Sequence, residues 1–266
     1  MAQEKWLVDG EKIIDIDNVR KLKVGLVAGQ VSIVGHDEPH AHIEIHSVKG
    51  KDLLVSVEGD TLEIDHAQWK WDNFIDVFKS FRGTARADVT ITVPRDVALK
   101  FGVVSASGLI SGLTEDASIS SVSGDLVLDG LYGDIQLNSV SGELSVRNHY
   151  GKINAHTISG DVTASGEIMK FTGDTVSGEV FLDVKGLPDE IRVNTVSGNI
   201  TARLEEGVPA QYKINTVSGR LQLDDSEISG IRGGYTGKYG VLDKQWLEFR
   251  ANTVSGSVSV LHQVSA

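Results

Sequence analysis

A histidine-rich segment carries the first residues whose types and spacing could do chemistry. His40, His42, Glu44 and His46 occupy alternate positions, so on a β-strand they would share one face. Two imidazoles at positions i and i+2 with a nearby carboxylate could bind zinc or nickel. Because any solvated strand face collects polar residues at alternate positions, we favour an ordinary exposed face and keep these four residues as weak candidates for a metal site.

Hydroxyl side chains are the second candidate, because a motif of Thr or Ser, Val or Ile, Ser and Gly recurs along the chain. A catalytic serine needs one activated position beside a base and an orienting group, not a ladder of equivalent positions. The repeated hydroxyls therefore indicate structural stacking, and we predict no catalytic residue, no cofactor-binding residue and no cofactor. The copies begin at Ser121, Ser139, Thr157, Thr175, Thr195, Thr216 and Thr253.

The spacing of this motif indicates the elements that position these residues. The motif glycines at 124, 142, 160 and 178 are 18 residues apart, and those at 198, 219 and 256 follow at intervals of 20, 21 and 37 residues. A short and nearly fixed period predicts a solenoid. Apolar residues alternate on both sides of each motif, so one repeat would form two short strands around a common interior.

Stacking of the repeats makes specific demands on three positions. The Val or Ile of each motif would form a continuous buried stripe, and the Gly marks a place where a side chain would collide or where positive φ is required. Two residues before the Val or Ile, stacked side chains of an Asn-rich column could hydrogen-bond from repeat to repeat. We therefore predict an all-β fold, a single-stranded right-handed parallel β-helix with rungs of about 18–21 residues.

One elongated solenoid domain is predicted to span residues 1–266, with two interruptions. Residues 67–86 break the repeat with an aromatic segment, and residues 226–246 break it with a glycine-rich segment. The glycine-rich segment lacks the strand, loop and helix context of a phosphate-binding loop. We interpret it as a loop insertion that accounts for the long last interval between motifs.

The aromatic segment is predicted to form one short amphipathic helix, because Trp71, Phe74, Ile75 and Phe78 recur at helical spacing. We favour a cap that covers the apolar core of the solenoid. Docking of a partner or of a second copy and contact with a membrane are the alternatives, in that order. The candidate contact residues are Trp69, Trp71, Phe74, Ile75, Phe78 and Phe81.

Composition narrows the classes of function. The chain has 266 residues, no cysteine and a formal net charge of −12. The lack of cysteine excludes a disulfide framework and thiolate chemistry, and the negative charge argues against binding to nucleic acid and against attraction to anionic lipid. Because the first residues lack a basic region followed by an apolar run, we expect a cytoplasmic protein. The alternative is a cytoplasmic protein that associates peripherally with the membrane.

Three stretches carry a resemblance to a known family: residues 87–94 (ADVTITVP), the repeated Thr-Val-Ser-Gly motif and residues 253–261 (TVSGSVSVL). In these stretches the chain resembles the bacterial "putative adhesin" β-strand-repeat proteins, also called toastrack domains, in their actinobacterial form. The resemblance covers nearly the whole chain. It implies a single-stranded right-handed β-helix, often encoded near envelope-stress and phage-shock-type regulators, and it supplies no catalytic residues.

The leading functional hypothesis is a non-enzymatic scaffold or binding module in envelope-stress physiology or adhesion-like interactions. Its partner would be an unidentified protein or a second copy of the chain. A self-assembling rod is the second hypothesis, since an open-ended solenoid exposes unpaired backbone edges. A carbohydrate-active β-helix enzyme is the least favoured hypothesis, because the surface columns are Ser, Thr and Asn rather than acids and bases.

Overall fold

A computed structural model describes residues 4–66, 85–228 and 233–263. All regular elements in these ranges are β-strands, which confirms the all-β prediction. In this part of the chain no helix is long and apolar enough to cross a membrane. The predicted aromatic helix and its six candidate contact residues lie outside the described residues.

The chain divides into two compact units, an N-terminal unit that runs to Gly133 and a C-terminal unit that begins at Asp134. The single elongated domain stays a prediction. The strands up to the division are β1 (Glu4–Val8), β2 (Lys12–Asp17), β3 (Lys21–Leu26), β4 (Ala28–His36), β5 (His40–Lys49), β6 (Leu53–Glu58), β7 (Thr61–His66), β8 (Arg86–Pro94), β9 (Ala98–Val103), β10 (Ser107–Ser111), β11 (Ala117–Ser121) and β12 (Leu126–Asp129).

The remaining strands begin with β13, which spans the division, and continue through the C-terminal unit. They are β13 (Tyr132–Ser139), β14 (Leu144–Thr157), β15 (Val162–Asp174), β16 (Val180–Val184), β17 (Glu190–Thr195), β18 (Ile200–Glu205), β19 (Ala210–Thr216), β20 (Leu221–Leu223), β21 (Ser226–Ile228), β22 (Gly233–Tyr239), β23 (Leu247–Thr253) and β24 (Val258–Gln263).

Two columns of strands build the N-terminal unit. The first column has the order β1, β6, β7, β3, β9, β11, and the second has the order β2, β5, β8, β4, β10, β12. In each column the last four strands are parallel, while the first two strands pair antiparallel. The antiparallel strands therefore close one end of the parallel stack in this unit.

The C-terminal unit is also a stack of parallel strands with antiparallel strands at one end, but here the antiparallel strands come late in the sequence. One column has the order β14, β15, β17, β23, β19, β22, and the other has the order β14, β15, β16, β18, β24, β20, β21. All pairs are parallel except the last of each column, β19 with β22 and β20 with β21. Both strands β14 and β15 bend and contribute to both columns.

Pairing between residues one repeat apart confirms the β-solenoid within each unit. Leu144 pairs with Val162, and Val162 with Val180, so these rungs are 18 residues long; Val180 pairs with Ile200, 20 residues further on. Alternate residues are buried along most of the strands, as Ile191 and Val193 are on β17. The burial of such aliphatic side chains contributes on the order of 1.5–3 kcal/mol each.

The spatial order of the rungs departs from their order in the sequence in both units. In the N-terminal unit the rung of β3 and β4 lies between that of β7 and β8 and that of β9 and β10. In the C-terminal unit the rung of β23 and β24 lies between that of β17 and β18 and that of β19 and β20. The long last interval is therefore a detour after which the chain returns to fill an inner rung.

The glycine-rich interruption differs from the predicted loop. Residues Gly233–Tyr239 form β22, an antiparallel strand on β19, and Ser226–Ile228 form β21 on β20. Exposed β22 has glycine at three of its seven positions. These residues are a strand because β19 offers them a full edge of backbone partners, which a sequence pattern of glycines does not reveal.

The corner motif is turned the other way from our prediction. The Val or Ile of the motif is exposed, with 48% exposure at Val176 and Val196, while the Thr before it is buried, as Thr175 and Thr195 are. Each buried threonine accepts a hydrogen bond from the backbone N–H of the motif glycine, at 3.0 Å for Gly178. The hydroxyl thus faces inward because it satisfies a buried N–H that no strand partner reaches.

The motif glycine is required by the close approach of successive rungs. A Cβ at Gly198 would lie 1.9 Å from the carbonyl oxygen of Gly178, and one at Gly178 would lie 2.0 Å from that of Gly160. No other residue fits at such a distance without displacing the backbone of the rung below. The predicted collision at the glycine column is therefore confirmed.

Candidate ligand-binding face

An exposed aliphatic ridge runs along the corners of the C-terminal unit. Backbone hydrogen bonds join its neighbours, for example from Ser197 N to Val176 O at 3.0 Å and from Ser218 N to Val254 O at 3.0 Å. The exposed fractions of its side chains range from 39% to 65%. In spatial order the aliphatic ridge consists of Val140, Ile158, Val176, Val196, Val254 and Val217.

An amide row lies beside the ridge, two positions earlier on each strand. Asn194 Nδ2 donates to Asp174 Oδ1, Asn252 Nδ2 donates to Asn194 Oδ1, and Asn215 Nδ2 donates to Asn252 Oδ1, each at 2.7 Å. The predicted hydrogen bonding between stacked Asn side chains is therefore confirmed. Each amide in this row uses one N–H for the ladder and retains a second N–H as a donor.

A basic row follows two positions earlier again, formed by Arg192, Arg250 and Lys213. Register pairing places Arg192 opposite Arg250 on β23 and Arg250 opposite Lys213 on β19. Neighbouring strands are about 4.8 Å apart, and like charges directly opposite each other on a sheet are destabilising. The row therefore carries an electrostatic cost that the fold itself does not explain.

Acidic residues offset part of this cost. Arg192 pairs with Glu190 at 3.1 Å, and Arg250 pairs with Glu248 at 2.5 Å. Lys170 hydrogen-bonds to Glu190, and this contact is the main reason that the pKa of Glu190 lies below its usual value. Lys213 has Gln211 rather than a glutamate two positions earlier and makes no ion pair with any described residue.

The outward charges on these strands are predominantly positive, although the whole chain carries −12. Five basic and three acidic side chains in register give these strands a local charge of +2. Within about one Debye length, roughly 8 Å at physiological salt, the local charge outweighs the distant negative charge. The eight side chains are Lys170, Asp174, Glu190, Arg192, Glu248, Arg250, Lys213 and Lys238.

Two concave sites lie on this surface. A depression of about 310 Å³ is lined by the amide row together with Val217 and Val254 of the ridge. A smaller one of about 150 Å³ is lined by Lys213, Arg250 and Thr236, among others. We refer to the basic row, the amide row and the adjacent part of the ridge on β17, β23 and β19 as the binding face.

The N-terminal unit has a separate groove of about 530 Å³ that crosses its second column. Leu109 and Val127 give it an apolar end, Ser32 and Thr90 line its middle, and His46 lies at its far side. His46 Nε2 hydrogen-bonds to Thr90 Oγ1 at 2.9 Å. The outward residues differ from strand to strand, so this groove has no repeating pattern.

The histidine cluster lies on the outward face of β5, as the alternation predicts, with the intervening residues buried. His42 is held between Asp15 Oδ1 at 2.5 Å and Glu44 Oε1 at 3.0 Å, and these hydrogen bonds raise the pKa of its imidazole. His40 contacts His36 through its carbonyl, 2.8 Å from His36 Nε2, and through an edge-to-face ring contact with 5.5 Å between centroids. In the described ranges no three His, Asp or Glu side chains are grouped to hold a metal ion.

Two buried titratable residues end strand β7. Asp65 is 5% exposed, and burial raises the pKa of its carboxyl to about 6. His66 is fully buried, accepts a hydrogen bond from Val27 N at 3.2 Å, and has its pKa lowered to about 4 by burial. Neither residue lines any of the concave sites described above, and we assign them no chemistry.

Sequence reasoning missed the basic row. Arg192, Arg250 and Lys213 each lie two residues before the Asn of a motif copy, so the alternation already places them outward. Their adjacency depends on the return of β23 between β17 and β19, which the sequence does not show. The aromatic candidates Trp69 to Phe81 lie outside the described residues and stay predictions.

Comparison with known proteins gives a family and a fold. A family model described as "Toastrack DUF4097" matches residues 19–261. A structure described as a "putative adhesin" from Bacteroides fragilis is 13% identical with a TM-score of 0.50, over 95% of this chain and 99% of that one. A "putative lipid binding protein" from Parabacteroides distasonis is 15% identical with a TM-score of 0.50, over 98% and 95%. No curated protein matches the sequence.

Proposed function

Since this chain belongs to the toastrack DUF4097 family, we propose that it is a non-enzymatic binding module that holds an extended ligand across the strands of its binding face. The names of its structural neighbours, an adhesin and a lipid-binding protein, are those of binding proteins. We place its role in adhesion-like interactions at the cell envelope or in envelope stress. The cytoplasmic location stays a prediction.

One observation carries this proposal: the same outward residue types recur in register on consecutive strands. Asn194, Asn252 and Asn215 present one amide per strand, and Val196, Val254 and Val217 present one aliphatic group per strand. A surface that repeats at the strand spacing of about 4.8 Å offers equivalent contacts to a linear ligand with a similar repeat. Several weak contacts of this kind add up to useful affinity through multivalency.

The outward residues of the binding face also support a non-catalytic role. Catalysis requires a positioned acid, base or nucleophile beside the reacting atoms. The carboxylates of the face, Glu190 and Glu248, are held by Lys170, Arg192 and Arg250 in ion pairs. The hydrogen bond from Lys170 lowers the pKa of Glu190, which makes this carboxylate a poor general acid.

The test measures binding of the full chain to a linear polysaccharide, polygalacturonate, and to its carboxyl-reduced neutral form, both immobilised on beads. We expect Val196→Thr with Val254→Thr to weaken binding to either polymer about fivefold or more, because the apolar faces of the sugar rings lose their contact with the ridge. Val241→Thr is the matched control, since Val241 is exposed but lies outside the binding face. If neither polymer is retained, or if incubation creates new reducing ends, the proposal is wrong.

A second candidate function is end-to-end self-assembly, favoured by strand β22. This strand pairs only with β19 among the described residues, so one of its backbone edges has no described partner. An exposed strand edge is a template for pairing with another chain. Light scattering that reports a monomer at every concentration and at high salt would exclude this candidate.

A further inference from the structure

The basic row is the feature of the molecule that its fold does not require. It places three cationic side chains on adjacent strands at directly opposed positions, and its third member, Lys213, makes no described ion pair. Natural strand pairs avoid like charges in this arrangement because they destabilise the sheet. A row that costs stability and lies on an exposed face indicates a negatively charged ligand.

We propose that the binding face recognises a linear acidic polysaccharide, with successive carboxylates on Arg192, Arg250 and Lys213; this rests on the proposed function and names its ligand class. Guanidinium and ammonium groups form charge-assisted hydrogen bonds with carboxylates. Consecutive pyranose units are similar in length to the strand spacing of about 4.8 Å. One acidic sugar per strand therefore matches one cation per strand.

The two rows beside the cations supply the remaining contacts of such a polymer. The concave site over the amide row is about 310 Å³ in volume, and it lies one outward position, about 6.6 Å, from the basic row. Sugar hydroxyls there meet the remaining N–H groups of Asn194, Asn252 and Asn215, and the apolar ring faces meet Val254 and Val217, all of which line this site. The carboxylates then lie within reach of the long Arg and Lys side chains.

The charge distribution favours a polymer over an anionic membrane as the occupant. A linear polymer contacts only the binding face and the strands beside it, where the local charge is +2. A membrane surface presents its charge to a much larger part of the molecule, which carries −12 in total. Repulsion from the remaining surface therefore opposes docking on anionic lipid but hardly affects a single polymer strand.

The experiment compares polygalacturonate with its carboxyl-reduced form on the full-length protein by calorimetry at low and at physiological salt. We expect at least tenfold tighter binding to the acidic polymer and a loss of affinity as salt rises. Arg250→Gln with Lys213→Gln should lower affinity for the acidic polymer about tenfold or more, a much larger loss than for the neutral polymer. Lys185→Gln, an exposed lysine outside the face, is the control for the change in net charge.

Three results would overturn the inference. If the wild type binds both polymers equally well, the proposed function stands but the preference for an acidic ligand is wrong. The same conclusion follows if the double variant binds both polymers as the wild type does. Tighter binding to vesicles containing anionic phosphatidylglycerol than to polygalacturonate would replace the polymer by a lipid surface. Binding to neither polymer would overturn both the inference and the proposed function.

Discussion

At the scale of single residues, the corner motif shows how one buried N–H decides which side chain faces inward. The backbone N–H of Gly198 points into the corner, and Thr195 Oγ1 accepts its hydrogen bond at 2.9 Å. The same contact recurs at Gly160, Gly219 and Gly256. An aliphatic residue at the threonine position would leave this donor buried and unpaired. The threonine hydroxyl is therefore buried, and the Val side chain is exposed to solvent.

Thr195→Val tests this explanation. Valine has nearly the shape of threonine but cannot accept a hydrogen bond, so the variant should lose about 1–3 kcal/mol of unfolding free energy. Thr195→Ser is the matched variant, since serine holds this position naturally at Ser121 and Ser139; it should lose only about 1 kcal/mol for the missing methyl group. Urea unfolding measures both, and a larger loss for Ser than for Val would show that packing, not the hydroxyl, decides the site.

Asp65 gives a residue-scale prediction with a defined pH window. Burial raises the pKa of its carboxyl from an ordinary value of 3.8 to about 6, so between these values the folded state holds a proton that the unfolded state has lost. The contribution of Asp65 to stability is therefore fully present below about pH 4 and is lost as the pH rises through 6. Asp65→Asn removes this dependence.

The measurable quantity is the unfolding free energy of Asp65→Asn minus that of the wild type. It should increase between pH 4 and pH 7.5 by on the order of 2–3 kcal/mol, since one unit of pKa corresponds to about 1.4 kcal/mol. Neighbouring His66, whose pKa burial lowers to about 4, acts in the opposite direction but is present in both proteins and cancels. Exposed Asp9 supplies the control Asp9→Asn, and parallel curves for Asp65→Asn and the wild type would contradict the prediction.

At the scale of elements, the sequence predicts what is local and repeated. The 18-residue period and the alternation of apolar residues gave the parallel strands, and the Asn column gave the amide ladder, because each depends only on stacking like with like. The inward Thr and outward Val were not predictable from hydrophobicity, since an unpaired N–H leaves no trace in an apolar pattern. The contact of His42 with Asp15 was also hidden, because it arises from antiparallel pairing of β2 with β5.

The amide ladder makes a prediction about the cooperation of neighbouring strands. Asn252 donates to Asn194 and accepts from Asn215, whereas Asn215 at the end of the ladder makes only one such bond. Asn252→Ala should therefore destabilise the protein about twice as much as Asn215→Ala, at roughly 1 kcal/mol per hydrogen bond. Chemical denaturation measures the unfolding free energy of both variants. If the two variants lose the same amount, the hydrogen bonds between neighbouring amides do not contribute to stability.

At the scale of the whole molecule, each unit fills one inner rung with a segment near a chain terminus. Strand β3 pairs with β7 on one side and β9 on the other, and β23 pairs with β17 and β19. An open solenoid in sequence order would leave the first and last rungs at its ends, where they could fray. The periodicity of the sequence is the same for both arrangements, so only the structure reveals that the order is exchanged.

This arrangement predicts the pattern of native-state hydrogen exchange. Exchange is usually fastest near chain termini because terminal segments open locally. Here the amides of β3 and β23 should exchange as slowly as those of central β17, since each strand has hydrogen-bonded neighbours on both sides. Strand β22, which is further from the C-terminus than β23 but pairs only with β19 among the described strands, should exchange about 100-fold faster, because its opening breaks one strand interface instead of two.

Protection that falls steadily from the middle of the sequence toward each terminus would contradict the exchanged order of the rungs. Protection that rises again at β23 after a minimum at β22 would support it, because no arrangement in simple sequence order gives the last segments more neighbours than those before them.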